Sequence, residues 1–242
     1  MLNWIIQGAS SYAGQIDNVI VIIAVLGGFW LILAEVALFY FVMKYRRSRA
    51  PKAMHVTGYE HEYKKWIHWP HYLVIACDLV ILVFAARAWY HVKQSMPEHI
   101  DEDIRVVGHQ WAWEFVHQGA DGKLGTADDI NLVDELHVTV NKTYRFHLES
   151  ADVLHSFSIP RFRLKQDAVP GREIIGWFTP TIAGTYDVPC SQMCGLGHGI
   201  MGGRIFVETE AEHRLWLDSV TGKTAANPAH GLGKLASTQG GN

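Results

Sequence analysis

Residues 18–43 read NVIVIIAVLGGFWLILAEVALFYFVM, a run whose only formally charged residue is Glu35. At about 1.5 Å rise per residue, a helix of this length crosses a hydrocarbon core of roughly 30 Å. A second run, WPHYLVIACDLVILVFAARAWYHV over residues 69–92, is long enough too. Its Trp and Tyr residues sit near the ends, where an aromatic belt lies at a membrane–water boundary. A cleaved signal peptide needs a basic leader and a short apolar core. The leader MLNWIIQGASSYAGQID has neither Lys nor Arg, and the run after it is too long. The two runs therefore predict a transmembrane hairpin.

Charge sets its orientation. Lys44, Arg46, Arg47, Arg49, Lys52, Lys64 and Lys65 lie between the spans, and the tail before the first span has no basic residue. The positive-inside rule places the connection in the cytoplasm and both the N-terminus and everything after residue 93 outside. The expected partition is an outer tail over 1–17, a hairpin over 18–93, an outer domain over 94–220 and a disordered tail over 221–242, rich in Gly, Ala and Ser. Residues 1–100 carry 9 basic and 6 acidic groups, whereas residues 101–242 carry 12 basic and 18 acidic. A net charge of −6 on the outer part disfavours nucleic acid and suits a basic protein partner.

The outer part reads as strands. DIRVVGHQWAWEFVH, ELHVTV, TYRFHLES, SFSIP, EIIGWFTP, GTYDVPC and GRIFVET are rich in β-branched and aromatic residues, with Gly, Pro, Asn and Asp between them. Many short strands without helical periodicity predict a β-sandwich or Greek-key barrel. Residues 210–219 read as a short terminal helix.

Two of the chain's three cysteines fall in CSQMCGLGHGIM, residues 190–201. A disulfide between Cys190 and Cys194 is one reading, since the domain lies outside the cytosol, but it leaves His198 and Met201 unexplained. A structural zinc site closes on four ligands and has no use for a thioether. Thiolate, imidazole and thioether together favour copper. Two cysteines on one loop can each bridge two ions, and such a pair needs a second histidine, for which His155 is the candidate.

ADVLHSFSIP, LKQDAVPGR and CSQMCGLGHGIMGG, with GHQWAWEF upstream, resemble subunit II of the haem–copper cytochrome c oxidases, and the resemblance runs from the spans to about residue 217. It implies a two-helix transmembrane hairpin followed by an all-β cupredoxin-like Greek-key domain, in the inner membrane with its outer part in the periplasm. It implies a binuclear copper centre, CuA, bridged by Cys190 and Cys194. His155 and His198 would be terminal ligands, Met201 a weak thioether ligand and the Gln192 carbonyl its counterpart. Trp111 would be the point of electron entry from cytochrome c, with Trp113 as packing, although strand alternation would put both on one face. Subunit I and other oxidase subunits are the expected partners, and Asp167 and Arg172 would face subunit I. The family's usual residue at position 192 is glutamate, whose carboxylate reaches a magnesium ion; with Gln192 that site is expected to be weak or missing.

Other groups have plainer readings. Glu114, Asp121, Asp128, Asp129, Asp134, Glu135, Glu149 and Asp152 form a set that could steer a basic donor. ADGKLGTADDI lacks the full EF-hand spacing and reads as a polar hairpin loop. Glu35 and Asp78 lie within the spans, where ionisable groups have a partner or a task; Glu62 lies near the start of the second. A CuA-bearing nitric oxide reductase subunit would look much alike. A membrane-anchored copper chaperone is the rival from another class, and it leaves the His-Met continuation unexplained.

Overall fold

The computed structural model describes residues 7–46 and 56–226. They form two units: a helical unit from Tyr12 to Met96, and a β-unit from Pro97 onward that also takes in Gly8–Ser11.

In the helical unit, α1 spans Ala13–Lys44 and α2 spans His61–Trp89, followed by a single π-helical turn over Tyr90–Gln94. Both are long and apolar enough to cross a membrane. The helices begin earlier than the apolar runs. α1 takes in residues assigned above to the outer tail, and Glu62 falls in the first turn of α2. Pro70 lies inside α2, where it removes one backbone donor. Trp30 Nε1 donates to Cys77 Sγ at 3.5 Å, so Cys77 is an acceptor between the helices as well as a small packing residue. Glu35 and Asp78 are exposed on the surface of this pair.

The β-unit has ten strands: β1 Glu102–His109, β2 Ala112–His117, β3 Ile130–Val133, β4 Glu135–Thr139, β5 Tyr144–Ser150, β6 His155–Ile159, β7 Leu164–Ala168, β8 Ile174–Phe178, β9 Gly184–Pro189 and β10 Gly202–Glu208. One sheet has the order β3-β2-β1-β5-β8; opposite it are a β4-β10-β9 sheet and a β6-β7 hairpin. A bridge from Phe157 to Cys190 ties the hairpin to the end of β9. β1 and β5 pair in parallel, as do β4 and β10, so the chain crosses between sheets as a cupredoxin-like Greek key requires.

Alternation explains the core. On β5, Tyr144, Phe146 and Leu148 are buried while Arg145 and His147 face outward. β6 is buried along its whole length. Its Phe157 meets Trp113 and Phe146 edge-on, with ring centroids 5.7 and 5.6 Å apart. Such contacts contribute about 0.5–1.5 kcal/mol each beyond area burial.

Four features depart from the sequence reading. DIRVVGHQWAWEFVH is two strands, not one, with His109 opposite Ala112 across a two-residue turn. LKQDA, absent from the strands expected from the sequence, is β7, with Asp167 opposite Ser156 on β6. Gly8–Ser11 joins the β-unit: Ala9 N donates to Arg161 O at 2.7 Å, Thr181 N to Ala9 O at 2.9 Å and Ser10 Oγ to Phe162 O at 2.8 Å. Lastly, the terminal helix α3 runs over Glu210–Ala226 rather than ending at 219, so it continues into the first residues of the expected tail. Gly222 is the weakest helix former in this stretch, and Asn227–Pro228 supplies the sequence stop. Residues 227–242 of the expected tail lie outside the described residues.

α3 docks on the β-unit through stacked imidazole and indole rings. The His137 ring is stacked between Phe206 and Trp216, with centroids 4.6 and 4.3 Å away. Glu208 accepts from His137 Nδ1 at 2.9 Å and from His213 Nδ1 at 3.0 Å. Burial holds the His213 imidazole below the usual histidine range. The folded state then binds fewer protons here than the unfolded chain, so docking is strongest above about pH 6.5 and weakens as pH falls below it. Amide protection over residues 213–220, corrected for intrinsic exchange, is expected to be lower at pH 5 than at pH 7.5. Equal protection at both would contradict this.

Candidate metal centre

Residues 190–201 close the β9–β10 connection. Gly202 pairs with Pro189, and Cys190 N donates to Met201 O at 3.1 Å, so both ends of the loop are pinned. His198 N donates to Gly195 O at 3.2 Å and Met201 N to Gly197 O at 3.1 Å, folding the loop back on itself. Ser191 N donates to Ser156 O at 3.0 Å, which fastens the loop beside His155 at the start of β6.

This folding gathers the donors named from the sequence. The two thiol sulfurs are 3.8 Å apart. Cys190 Sγ lies 4.0 Å from His155 Nδ1, and Cys194 Sγ lies 3.7 Å from His198 Nδ1. Met201 Sδ is 3.2 Å from His155 Nδ1 and 3.7 Å from Cys194 Sγ. The Gln192 carbonyl is 3.2 Å from Cys190 Sγ. His155, both cysteines and Met201 are buried. Among the described residues, His155, Cys190 and Cys194 form the group of metal-ligating side chains whose donor atoms all lie within 4.8 Å of one another.

A disulfide holds its sulfurs at about 2.05 Å, so these thiols are free. Burial pushes the Cys194 thiol up to about 11, and the adjacent Cys190 thiol adds to the shift. Two thiolates this close in a buried site repel each other unless a cation lies between them. Thiolate, imidazole and thioether make a soft donor set, which fits copper.

An outer layer orients the histidine. His155 Nε2 donates to Asp152 Oδ1 at 2.8 Å, which leaves Nδ1 facing the sulfurs. Asp152 is also held by Val153 N at 2.6 Å and Gln110 N at 2.7 Å. Burial opposes its charge, but these bonds keep its carboxyl below the usual carboxylate range. Gly108 lies against the His155 ring, where a Cβ would come within 3.0 Å of it. Trp113, fully buried, meets the same ring edge-on at 6.0 Å.

Trp111 is in the β1–β2 turn and not on a strand, so it does not share a face with Trp113. The two-residue turn interrupts the alternation. Trp111 is 40% exposed, and its Nε1 donates to Cys194 O at 3.2 Å, an acceptor shared with Gln110 Nε2 at 2.8 Å. Around it the loop exposes Met193, Leu196 and Ile200.

Most of the acidic set is engaged. Glu149 pairs with Arg105 at 2.8 Å, Glu114 with His109 at 2.9 Å, and Asp134 caps Trp113 N at 2.8 Å. Asp121, Asp128 and Asp129 accept from Lys123, Asp121 and Gly125 backbone N–H groups within their own hairpin loop. Sequence reading placed Asp152 among the docking acids; its role as the partner of His155 was signalled only by the three-residue spacing. Gly108 and Gln110 fall inside GHQWAWEF, but no role for either was legible there.

Comparison with known proteins bears on this geometry. Residues 119–209 match the family model described as cytochrome c oxidase subunit II, periplasmic domain. The alternative cytochrome c oxidase subunit 2 of Bradyrhizobium diazoefficiens is 29% identical over 227 residues, covering 85% of this chain and 80% of that protein. The chain is thus similar to cytochrome c oxidase subunit II proteins, with the family model matching within its β-unit. Cytochrome c oxidase subunit 2 of Thermostichus vulcanus is 40% identical over 114 residues, 47% of this chain and 32% of the relative. The probable subunit 2 of Rickettsia prowazekii is 32% identical over 165 residues, and the chain spans about half of its length. The crystal structure of the periplasmic domain of subunit II of cytochrome oxidase from Bradyrhizobium japonicum is 31% identical; it covers 53% of this chain and 99% of its own, with a TM-score of 0.46. The His/Cys/Cys cluster is a copper-binding candidate on a β-domain that matches the subunit II periplasmic-domain model, and the two apolar helices fit a membrane protein with two spans.

Proposed function

We propose that this chain is the electron-entry subunit of a terminal respiratory oxidase, accepting electrons from cytochrome c at a binuclear CuA centre and passing them to haem in subunit I. The observation that carries this is the pairing of two thiols 3.8 Å apart, each with its own imidazole within 4.0 Å. Cys190 and Cys194 would bridge, His155 and His198 would cap one ion each, and Met201 and the Gln192 carbonyl would complete the set. When bound, copper supplies a one-electron carrier. The protein's part is to hold the donors rigid, exclude water from the thiolates and keep His155 in the tautomer that presents Nδ1 to the metal. Oxygen reduction and proton pumping belong to subunit I.

Orientation follows the same reading. Gly8–Ser11, ahead of α1, is hydrogen-bonded into the β-unit, which supports a reading with both on one side of the membrane and an even number of spans between them. Together with the basic connection, this supports an inner-membrane hairpin with the copper domain in the periplasm.

The purified complex should oxidise reduced cytochrome c with oxygen as acceptor. Turnover with nitric oxide and none with oxygen would favour the nitric oxide reductase reading instead. Because Glu149 is paired with Arg105 and the residues that the loop exposes, Met193, Leu196 and Ile200, are apolar, association should weaken only modestly with salt. A less than about tenfold loss is expected as the Debye length shortens to about 8 Å. A far steeper loss would show that unpaired charge dominates docking.

Gln192 supplies the carbonyl to the copper site but offers a neutral amide where a carboxylate would favour magnesium. Gln192→Glu is expected to strengthen Mn²⁺ binding, used as an EPR-visible substitute for Mg²⁺, while leaving the copper spectrum unchanged. Tight stoichiometric Mn²⁺ in the unaltered protein would contradict the argument from charge.

A further inference from the structure

We propose that Gly197 is the positioning residue that seats Trp111 on the metal-binding loop; this rests on Trp111 being the point of electron entry. A Cβ added at Gly197 would lie 2.4 Å from Trp111 Cδ2, 2.6 Å from Cγ and 2.8 Å from Cε3. Those atoms belong to the rigid centre of the indole, so the bare Cα of Gly197 is in direct contact with the ring face. At the far end of the ring, a Cβ on Gly195 would lie 3.4 Å from both Cζ2 and Nε1. Leu196, between them, is fully exposed and takes its side chain away from the ring. The Gly-Leu-Gly stretch therefore lays bare backbone along the indole. With the ring so close, Nε1 reaches the carbonyl of Cys194, one of the two bridging candidates.

The loop contains its own control. A Cβ added at Gly199 would meet nothing within 4 Å, and neither Gly197 nor Gly199 has the positive φ that would strain alanine. Gly195, at φ 118°, would confound the test. Gly197→Ala should displace the indole and break its bond to Cys194, whereas Gly199→Ala should not.

The test uses the full-length chain with ¹⁵N-labelled tryptophan, its Trp111 signal assigned by loss in Trp111→Phe. Exchange of the Trp111 indole N–H should be slow in the unaltered chain and in Gly199→Ala, and at least about tenfold faster in Gly197→Ala. In the assembled complex, electron entry from reduced cytochrome c should fall about ten- to a hundredfold in Gly197→Ala, as displacement of a reacting group by about 1 Å implies. In a Trp111→Ala background, Gly197→Ala should add nothing, because the ring it strikes is gone. If Gly197→Ala alone fails to fold, the double variant should fold. Unchanged indole exchange in Gly197→Ala, or an equal defect with and without the indole, overturns the proposal. Exchange is read on the metal-free chain, so failure to bind copper would sink the electron-entry reading without touching the seat.

Discussion

Cys190→Ser is expected to leave a folded β-domain that no longer holds two copper ions. The residue closes the loop through its backbone, donating to Met201 O, and serine preserves that bond. What it removes is one of the two sulfurs that sit 3.8 Å apart. Loss of an outer partner of a metal ligand typically costs about 10–100-fold in affinity or activity. Loss of a bridging ligand should exceed that, so copper content should fall to one ion or fewer per chain and electron entry should become undetectable. Copper analysis and circular dichroism on the same preparation check both halves. Full copper occupancy with normal electron entry would show that Cys190 is not a bridging ligand.

Asp152→Ala is expected to weaken copper binding by about 10–100-fold. Asp152 fixes the His155 ring by accepting from Nε2, and without it that nitrogen has no acceptor to hold the tautomer. Asp152→Asn should lie between the two, because an amide oxygen still accepts one hydrogen bond but carries no charge. Competition with a copper chelator measures all three proteins. An alanine variant that binds as tightly as the unaltered chain would make Asp152 a surface charge rather than the partner of a ligand. This separates it from Glu149, whose carboxylate is taken up by Arg105 and whose loss should leave copper affinity unchanged.

The parts of this protein that sequence made legible are those with a local chemical signature. The apolar runs at 18–43 and 69–92 announced the helices because crossing a membrane demands length and hydropathy in one stretch. The Cys-x3-Cys loop was legible because soft donors at close spacing have few other uses. Contacts between distant segments left no such mark. The turn at Gln110–Trp111 hid inside a run of strand formers, so alternation put Trp111 and Trp113 on one face when only Trp113 enters the core. Gly8–Ser11 carries no strand signal, and it adds to the β-unit through backbone groups that any residues could supply. The same holds for Gly197: a glycine before a histidine says nothing until the indole it carries is in place. α3 outran its expected end although Asp218, Ser219, Thr221 and Gly222 are poor helix formers, so propensity did not mark its continuation.

The most direct test of the central claim is the EPR spectrum of the oxidised, copper-loaded protein, recorded with copper and protein quantified on the same sample. Two copper ions per chain, with hyperfine structure from one unpaired electron shared equally by two copper nuclei, is the predicted result. One copper per chain, with the hyperfine pattern of a single nucleus, would contradict it.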